Sequence, residues 1–237
     1  MLIEEELKLL YGLAANYYRN QGYIVDAGCF LGGSTLALAS GLLANPSFNR
    51  TDGKKVIHSY DLFKVEPWSI GKYFPDDTPR DASFEQQFRK NIAEISDIVQ
   101  VCPGDVSTRD LFDKPIEILF VDLAKRWTVN DFMVKAFFPS LIPGHSIVIQ
   151  QDYIYTDWNG WLHVTMEYFS DYLEIVDHTE INSVAFLYKK QIPEDMLKID
   201  IFQSLDAKEI IRLQKKAISR FQGNQKKIMK KSREHLL

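Results

Sequence analysis

The residues best spaced for chemistry form one run, Val25-Asp26-Ala27-Gly28-Cys29-Phe30-Leu31-Gly32-Gly33-Ser34-Thr35. A β-branched stretch ends in an acid, glycines follow, and a hydroxyl pair opens the next apolar stretch. Glycine lets a backbone turn tightly and approach a ligand closely. The free amides that begin a helix hold a polar or anionic ligand group. A dinucleotide site spaces its glycines as G-x-G-x-x-G and sets its ribose acid ~20 residues later. Here the glycines run Gly28-x3-Gly32-Gly33 and Asp26 stands directly before them, which disfavours a nicotinamide-dependent oxidoreductase.

Further acids close other apolar runs. Asp61 offers two acceptor oxygens, suited to both hydroxyls of a ribose; its plainer reading is an acid that caps a turn. Asp122 follows the strand-like run 116–121. Asp152 and His163 are the candidate general bases, the histidine suited to neutral pH. Their plainer readings are a loop acid and a half-buried helix residue. Tyr153, Tyr155, Trp158 and Trp161, with Trp68 and Tyr73, supply rings that either wall an acceptor pocket or pack as core and rim.

The elements that must position these residues follow from hydrophobic periodicity. Leu7, Leu10, Ala14 and Tyr17 predict a helix over 7–20, and 34–43, 84–95, 127–141 and 162–172 read as further helices. Runs at 23–25, 56–60, 99–102, 116–121 and 146–149 read as strands, with 174–176 and 183–189 as a closing pair. Such alternation calls for a mostly parallel, seven-stranded α/β sheet with helices on both faces. Ligands in such sheets bind at the carboxyl ends of the strands, where the glycine turn lies. Segment 63–83, with Pro67, Pro75 and Pro79, is a long loop or lid. The expected organisation is one α/β domain over 1–190 and a helical extension over 191–237, in which Ile210, Leu213, Ala217 and Phe221 form an apolar stripe.

The turn Asp-x-Gly-x3-Gly-Gly-x-Thr is joined by Ser59-Tyr60-Asp61-Leu62-Phe63, Phe88 with Asn91, Gly104, Asp122, and Leu141-x-Pro143-Gly144. Across residues 11–189 the set resembles class I methyltransferases that use S-adenosylmethionine (SAM). Within them it is similar to the natural-product enzymes of the macrocin O-methyltransferase and cephalosporin type. The resemblance implies a Rossmann-like class I fold and methyl transfer from SAM to a hydroxyl of a small molecule, such as a sugar or glycolipid precursor. By it Asp26, Gly28, Gly32, Gly33, Ser34 and Thr35 line the methionine part of SAM. Asp61 holds the ribose, Leu62, Gly104, Asp105 and Val106 surround the adenine, and Asp122 lies beside the cofactor. Asp105 reads as well as a turn residue.

Those relatives often hold Mg²⁺ with Asp-x-Asp after the fourth strand and Asp-Asp after the fifth. This sequence has Asp122-Leu123-Ala124 and Gln150-Gln151 instead. A hard cation wants anionic oxygens, so no metal is expected; Asp152 restores one ligand only if the strand ends a residue later. Catalysis then rests on alignment, a water-poor site and a base. Asp152 and His163 lie on the segment that in such folds overhangs the substrate.

Composition sets the outer bounds. With 46% apolar and 25% charged residues and a net charge of −4, there is no global attraction to nucleic acid or anionic membrane. The charge is uneven: residues from 205 onward carry +7, leaving −11 for the rest. The basic outer face of the tail reads first as a solvated helix face. Next it reads as a surface that docks on an acidic neighbour, a second subunit of a homodimer. A nucleic-acid methyltransferase is disfavoured, because Asp122-Leu123-Ala124-Lys125 stands where base-modifying enzymes of this fold carry an Asn/Asp-Pro-Pro-aromatic motif. A non-catalytic SAM-binding module is a further alternative, kept open by the missing metal acids. Two cysteines, no leader-like N-terminus and no apolar run of ~18 residues point to a cytoplasmic protein without a membrane span.

Overall fold

The computed structural model describes residues 1–108, 110, 112–155 and 159–232. Strands β1 (Tyr23–Ala27), β2 (Ile57–Asp61), β3 (Val99–Pro103), β4 (Ile116–Val121) and β5 (Ile147–Gln150) run parallel. Strands β6 (Leu173–His178) and β7 (Val184–Tyr188) complete the sheet, in the order β3-β2-β1-β4-β5-β7-β6, with β7 antiparallel to both neighbours. The chain order reverses beside β1, between β2 and β4. In open α/β sheets ligands bind beside such a switch point, at the carboxyl edge.

Strand β4 is buried at every position, as a strand covered on both faces must be. Its side chains alternate with period two. Ile118 and Phe120 join Ile24, Ile57 and Ile149 in one core cluster. Leu119 and Val121 join Val25, Ala27 and Val148 in the other. Helices α1 (Glu4–Gly12), α2 (Gly33–Ala44) and α3 (Glu85–Asn91) cover the first face, and α4 (Trp127–Phe137) and α5 (Gly160–Tyr168) the second. Helix α1 meets α2 closely: a Cβ on Gly41 would lie 2.3 Å from the Tyr11 carbonyl oxygen.

Two boundaries move from the sequence expectation for physical reasons. The first helix starts at Glu4, where three acids complement its positive end. It widens into a π-turn over Leu13–Tyr17. Fully buried Glu6 accepts from Ile3 N, from Ser183 Oγ at 2.6 Å and from Asn182 Nδ2 at 3.0 Å, tying α1 to the β6–β7 turn. Helix α4 ends at Phe137 and passes into a 3₁₀ turn over Phe138–Ser140, because Pro139 cannot donate to a regular α-turn.

The C-terminal region forms α6 (Glu194–Leu197), α7 (Ile201–Ser204), α8 (Ala207–Ser219) and α9 (Gly223–Lys231). Its expected apolar stripe is spent within the chain. Ile210, Leu213 and Phe221 belong to the same core cluster as Val148 and Trp161, and α8 packs on α5. Residues on both sides of position 190 thus contribute to one core cluster. The basic side is also partly engaged: Glu167, 2% exposed, is bound by Arg220 Nε at 2.6 Å and Lys216 Nζ at 2.9 Å. Among the described residues no helix is long and apolar enough to cross a membrane.

Candidate active site

The parallel ladder continues one step past the strands, and that step aligns the predicted site. Gly104 N donates to Asp61 O at 2.9 Å, Gly28 N to Tyr60 O at 2.8 Å, Asp122 N to Ala27 O at 2.7 Å and Gln151 N to Val121 O at 3.0 Å. Gly28, Asp61, Gly104, Asp122 and Gln151 thus form one row along the carboxyl edge. Gly28 is required there. Its φ is +102°, and a Cβ would lie 2.8 Å from the Asp122 carbonyl carbon.

Asp26 sits fully buried behind the turn. Its Oδ2 accepts from Ser34 Oγ at 3.0 Å and Thr35 Oγ1 at 2.5 Å, which pins the start of α2 to the end of β1. Its Oδ1 is buried and has no hydrogen-bond partner among the described residues. Burial pushes the carboxyl up to about 7, against the two hydroxyl donors, which favour its charge. Buried acceptors are rarely left without donors, so this oxygen either carries a proton or awaits a ligand. Gly33, at the first turn of α2, is exposed, and a Cβ there would meet nothing within 4 Å.

Asp61 braces the turn from β2. Its Oδ2 accepts from Phe30 N at 2.8 Å and its Oδ1 from Phe63 N at 2.7 Å. Both donor residues have left-handed backbone, with φ of 44° and 52°. Burial raises the Asp61 pKa, and these two N–H donors oppose the rise. Leu62 is 47% exposed beside it, whereas Val106 is buried. The Asp105 carboxylate accepts from Ser107 N at 2.9 Å and Ser107 Oγ at 2.8 Å, which lower its pKa. Asp105 is therefore a turn residue in this structure. The Phe30 ring meets Trp68, Tyr73, Phe74 and Phe84. Segment 63–83 closes on itself through a Lys64–Ser83 bridge. Between it and α3 lies a cavity of about 460 Å³ lined by Leu31, Tyr73, Phe74, Phe84, Gln87 and Asn91.

At the β4–β5 end the structure gathers Asp122, Gln151 and Asp152 around Lys125, which the sequence analysis left out. The Lys125 Nζ donates to Asp122 Oδ1 at 2.6 Å, Gln151 Oε1 at 3.0 Å and Asp152 Oδ2 at 2.6 Å. Burial pushes Asp122 up to about 6, with the Lys125 charge opposing. Burial also works against the Lys125 charge, yet the two carboxylates outweigh it and raise its pKa. The available signal was a cation three residues after Asp122, one position past the missing acid. Gln150 points elsewhere: it is 2% exposed, with Nε2 3.6 Å from Met166 Sδ.

His163 is not brought to this site. It is 1% exposed, its Nε2 lies 2.6 Å from the Tyr153 carbonyl, and its Nδ1 lies 3.4 Å from Ser232 Oγ under the C-terminal helices. Burial pushes its pKa down to about 4. A neutral ring closed off by the tail is a core strut, and the expectation of a histidine base is withdrawn. The aromatic group divides likewise. Tyr153 is 2% exposed and packs on His163, Phe186 and Phe221. Trp161 Nε1 donates to Ala124 O at 2.7 Å, beside Lys125. Tyr155 is 56% exposed, and Trp158 lies outside the described residues. A larger cavity of about 530 Å³, lined by Tyr153, Glu167, His178 and Arg220, lies at the β6–β7 side, away from the glycine turn.

No protein-family model matches the chain, and comparison with curated proteins gives no match. Among solved structures, calicheamicin methyltransferase is similar with a TM-score of 0.50 at 15% identity, over 78% of this chain and 77% of that one. An apo structure of the same enzyme, described as a TDP-rhamnose 3'-O-methyltransferase of calicheamicin biosynthesis, gives 0.49 at 14% over the same shares. A Clostridium thermocellum protein described provisionally as an rRNA methylase gives 0.49 at 15%, over 81% and 100%. Aeropyrum pernix fibrillarin, solved with natively bound SAM, gives 0.44 at 12%, over 78% and 74%. At these identities the likeness concerns the fold. The strand order and the calicheamicin enzyme together define a Rossmann-like fold of the class I methyltransferase type.

Proposed function

We propose that the chain is a SAM-dependent methyltransferase acting on a hydroxyl of a small molecule. One observation carries the reading: a fully buried Asp26 with one oxygen unmet, set behind an open helix start at the switch point of the sheet. The unmet oxygen suits the amino group of a methionine moiety, and the α2 amides suit its carboxylate. Asp61 keeps one lone pair on each oxygen beyond its backbone donor, enough for two ribose hydroxyls. Leu62 and Gly104 flank the adenine side, with buried Val106 behind them.

When bound, SAM supplies a methyl on a sulfonium; transfer forms a C–O bond, breaks the C–S bond and leaves S-adenosylhomocysteine and the hydroxyl proton. Asp152 takes that proton on its second oxygen, the first being held by Lys125. Asp122, between the glycine turn and Asp152, orients the acceptor. A sugar-like acceptor is the class that the family resemblance favours. Calorimetric titration with SAM, NAD and RNA tests the reading. SAM is expected to bind at one site and the other two not to bind. Binding of NAD or RNA in place of SAM overturns it.

A further inference from the structure

Enzymes of the type this sequence resembles place Mg²⁺ between acids that follow β4 and β5. The residues here do not fit that ion. Ala124 has no ligand to offer and its carbonyl is taken by Trp161. Gln150 is turned into the core. What remains is one amide and two carboxylates, and a protein cation already spans all three, at 2.6, 3.0 and 2.6 Å. An ammonium has three N–H donors, and these three oxygens use them all. A divalent ion would have to expel the lysine from between its acids, and would then complete its oxygen shell with water.

We infer that Lys125 is a built-in cation that takes the place of a divalent metal, holding Asp122 and Asp152 together and closing the site to metal ions. Lys125 is thus a positioning residue. With every N–H committed and no lone pair while charged, it carries no proton to or from an acceptor. It anchors Asp152, whose backbone is left-handed (φ 59°) two residues past the end of β5. What the clamp does in catalysis rests on the proposed methyltransferase reading. The exclusion of metal rests on the four side chains alone.

The test uses Mn²⁺, whose free-ion paramagnetic signal reports binding directly, on the full chain without SAM. Lys125→Ala and Lys125→Met each free the two carboxylates, and Lys125→Met also keeps the apolar stem that supports folding. Circular dichroism verifies the fold of each. Both variants are expected to bind one Mn²⁺ at least about tenfold more tightly than the wild type, and adding Asp122→Asn to Lys125→Ala is expected to abolish the gain. Wild-type protein that binds Mn²⁺ as tightly as the lysine variants overturns the inference. So do folded lysine variants that gain no Mn²⁺ binding. SAM titration of the same wild-type sample judges the functional reading separately, since either result can fail while the other stands.

Discussion

The carboxyl edge of the sheet carries two acidic regions with opposite states. Behind the glycine turn, Asp26 is buried, half-satisfied and without a cation. At the β4–β5 end, Asp122 and Asp152 are less enclosed and share the Lys125 ammonium. The first region leaves a costly polar group unmet, as the proposed cofactor site requires. The second meets its charges from within and needs no metal ion from outside. Similar residue types thus serve the proposed cofactor site in one place and a clamp held by the chain's own cation in the other. The difference lies in which charge the chain itself supplies.

The largest effect should come from filling the open side of the first region. Gly33→Val adds a side chain where nothing stands within 4 Å, so the fold should survive. SAM affinity should fall at least about 100-fold, or ~2.7 kcal/mol. Unchanged affinity by calorimetry would move the cofactor away from α2 and break the contrast.

A smaller effect sharpens the contrast from outside both regions. His163→Ala removes the partner of the buried Tyr153 carbonyl. It should lower unfolding stability by about 1–3 kcal/mol while SAM affinity stays within twofold. Denaturant unfolding measures the first and titration the second. A loss of turnover with stability intact would restore His163 as a base.

Much of this was legible in the sequence, for a physical reason. Parallel strands covered on both faces read as apolar runs, so the acids that end them (Asp26, Asp61 and Asp122) stood out, and the register then put their ends in one row. What escaped depends on partners far along the chain. Lys125 reaches Asp152 across 27 positions, a meeting made by the β4–β5 register. The burial of Glu6 left no sign in the sequence, because its partner Asn182 is 176 positions away. His163 was misjudged because helical spacing does not tell which face the C-terminal helices will cover. The apolar stripe of α8 announced that those helices must pack somewhere, without saying on what.

The central claim, that Asp26 is the unmet acid of the cofactor site, has a pH signature. Its carboxyl is raised from 3.8 to about 7 in the folded protein. Between those values the unfolded chain is ionised and the folded chain protonated. The free protein should therefore lose stability as pH rises from about 4 to about 7. A ligand ammonium needs the ionised form, whose population rises severalfold between pH 6 and pH 7.5. The decisive measurement is S-adenosylhomocysteine affinity across that range, for wild type and Asp26→Asn. The account predicts an affinity that climbs severalfold through about pH 7 in the wild type and a weak, flat profile in the variant. A flat wild-type profile, or an Asp26→Asn protein that binds as tightly as the wild type, would contradict it.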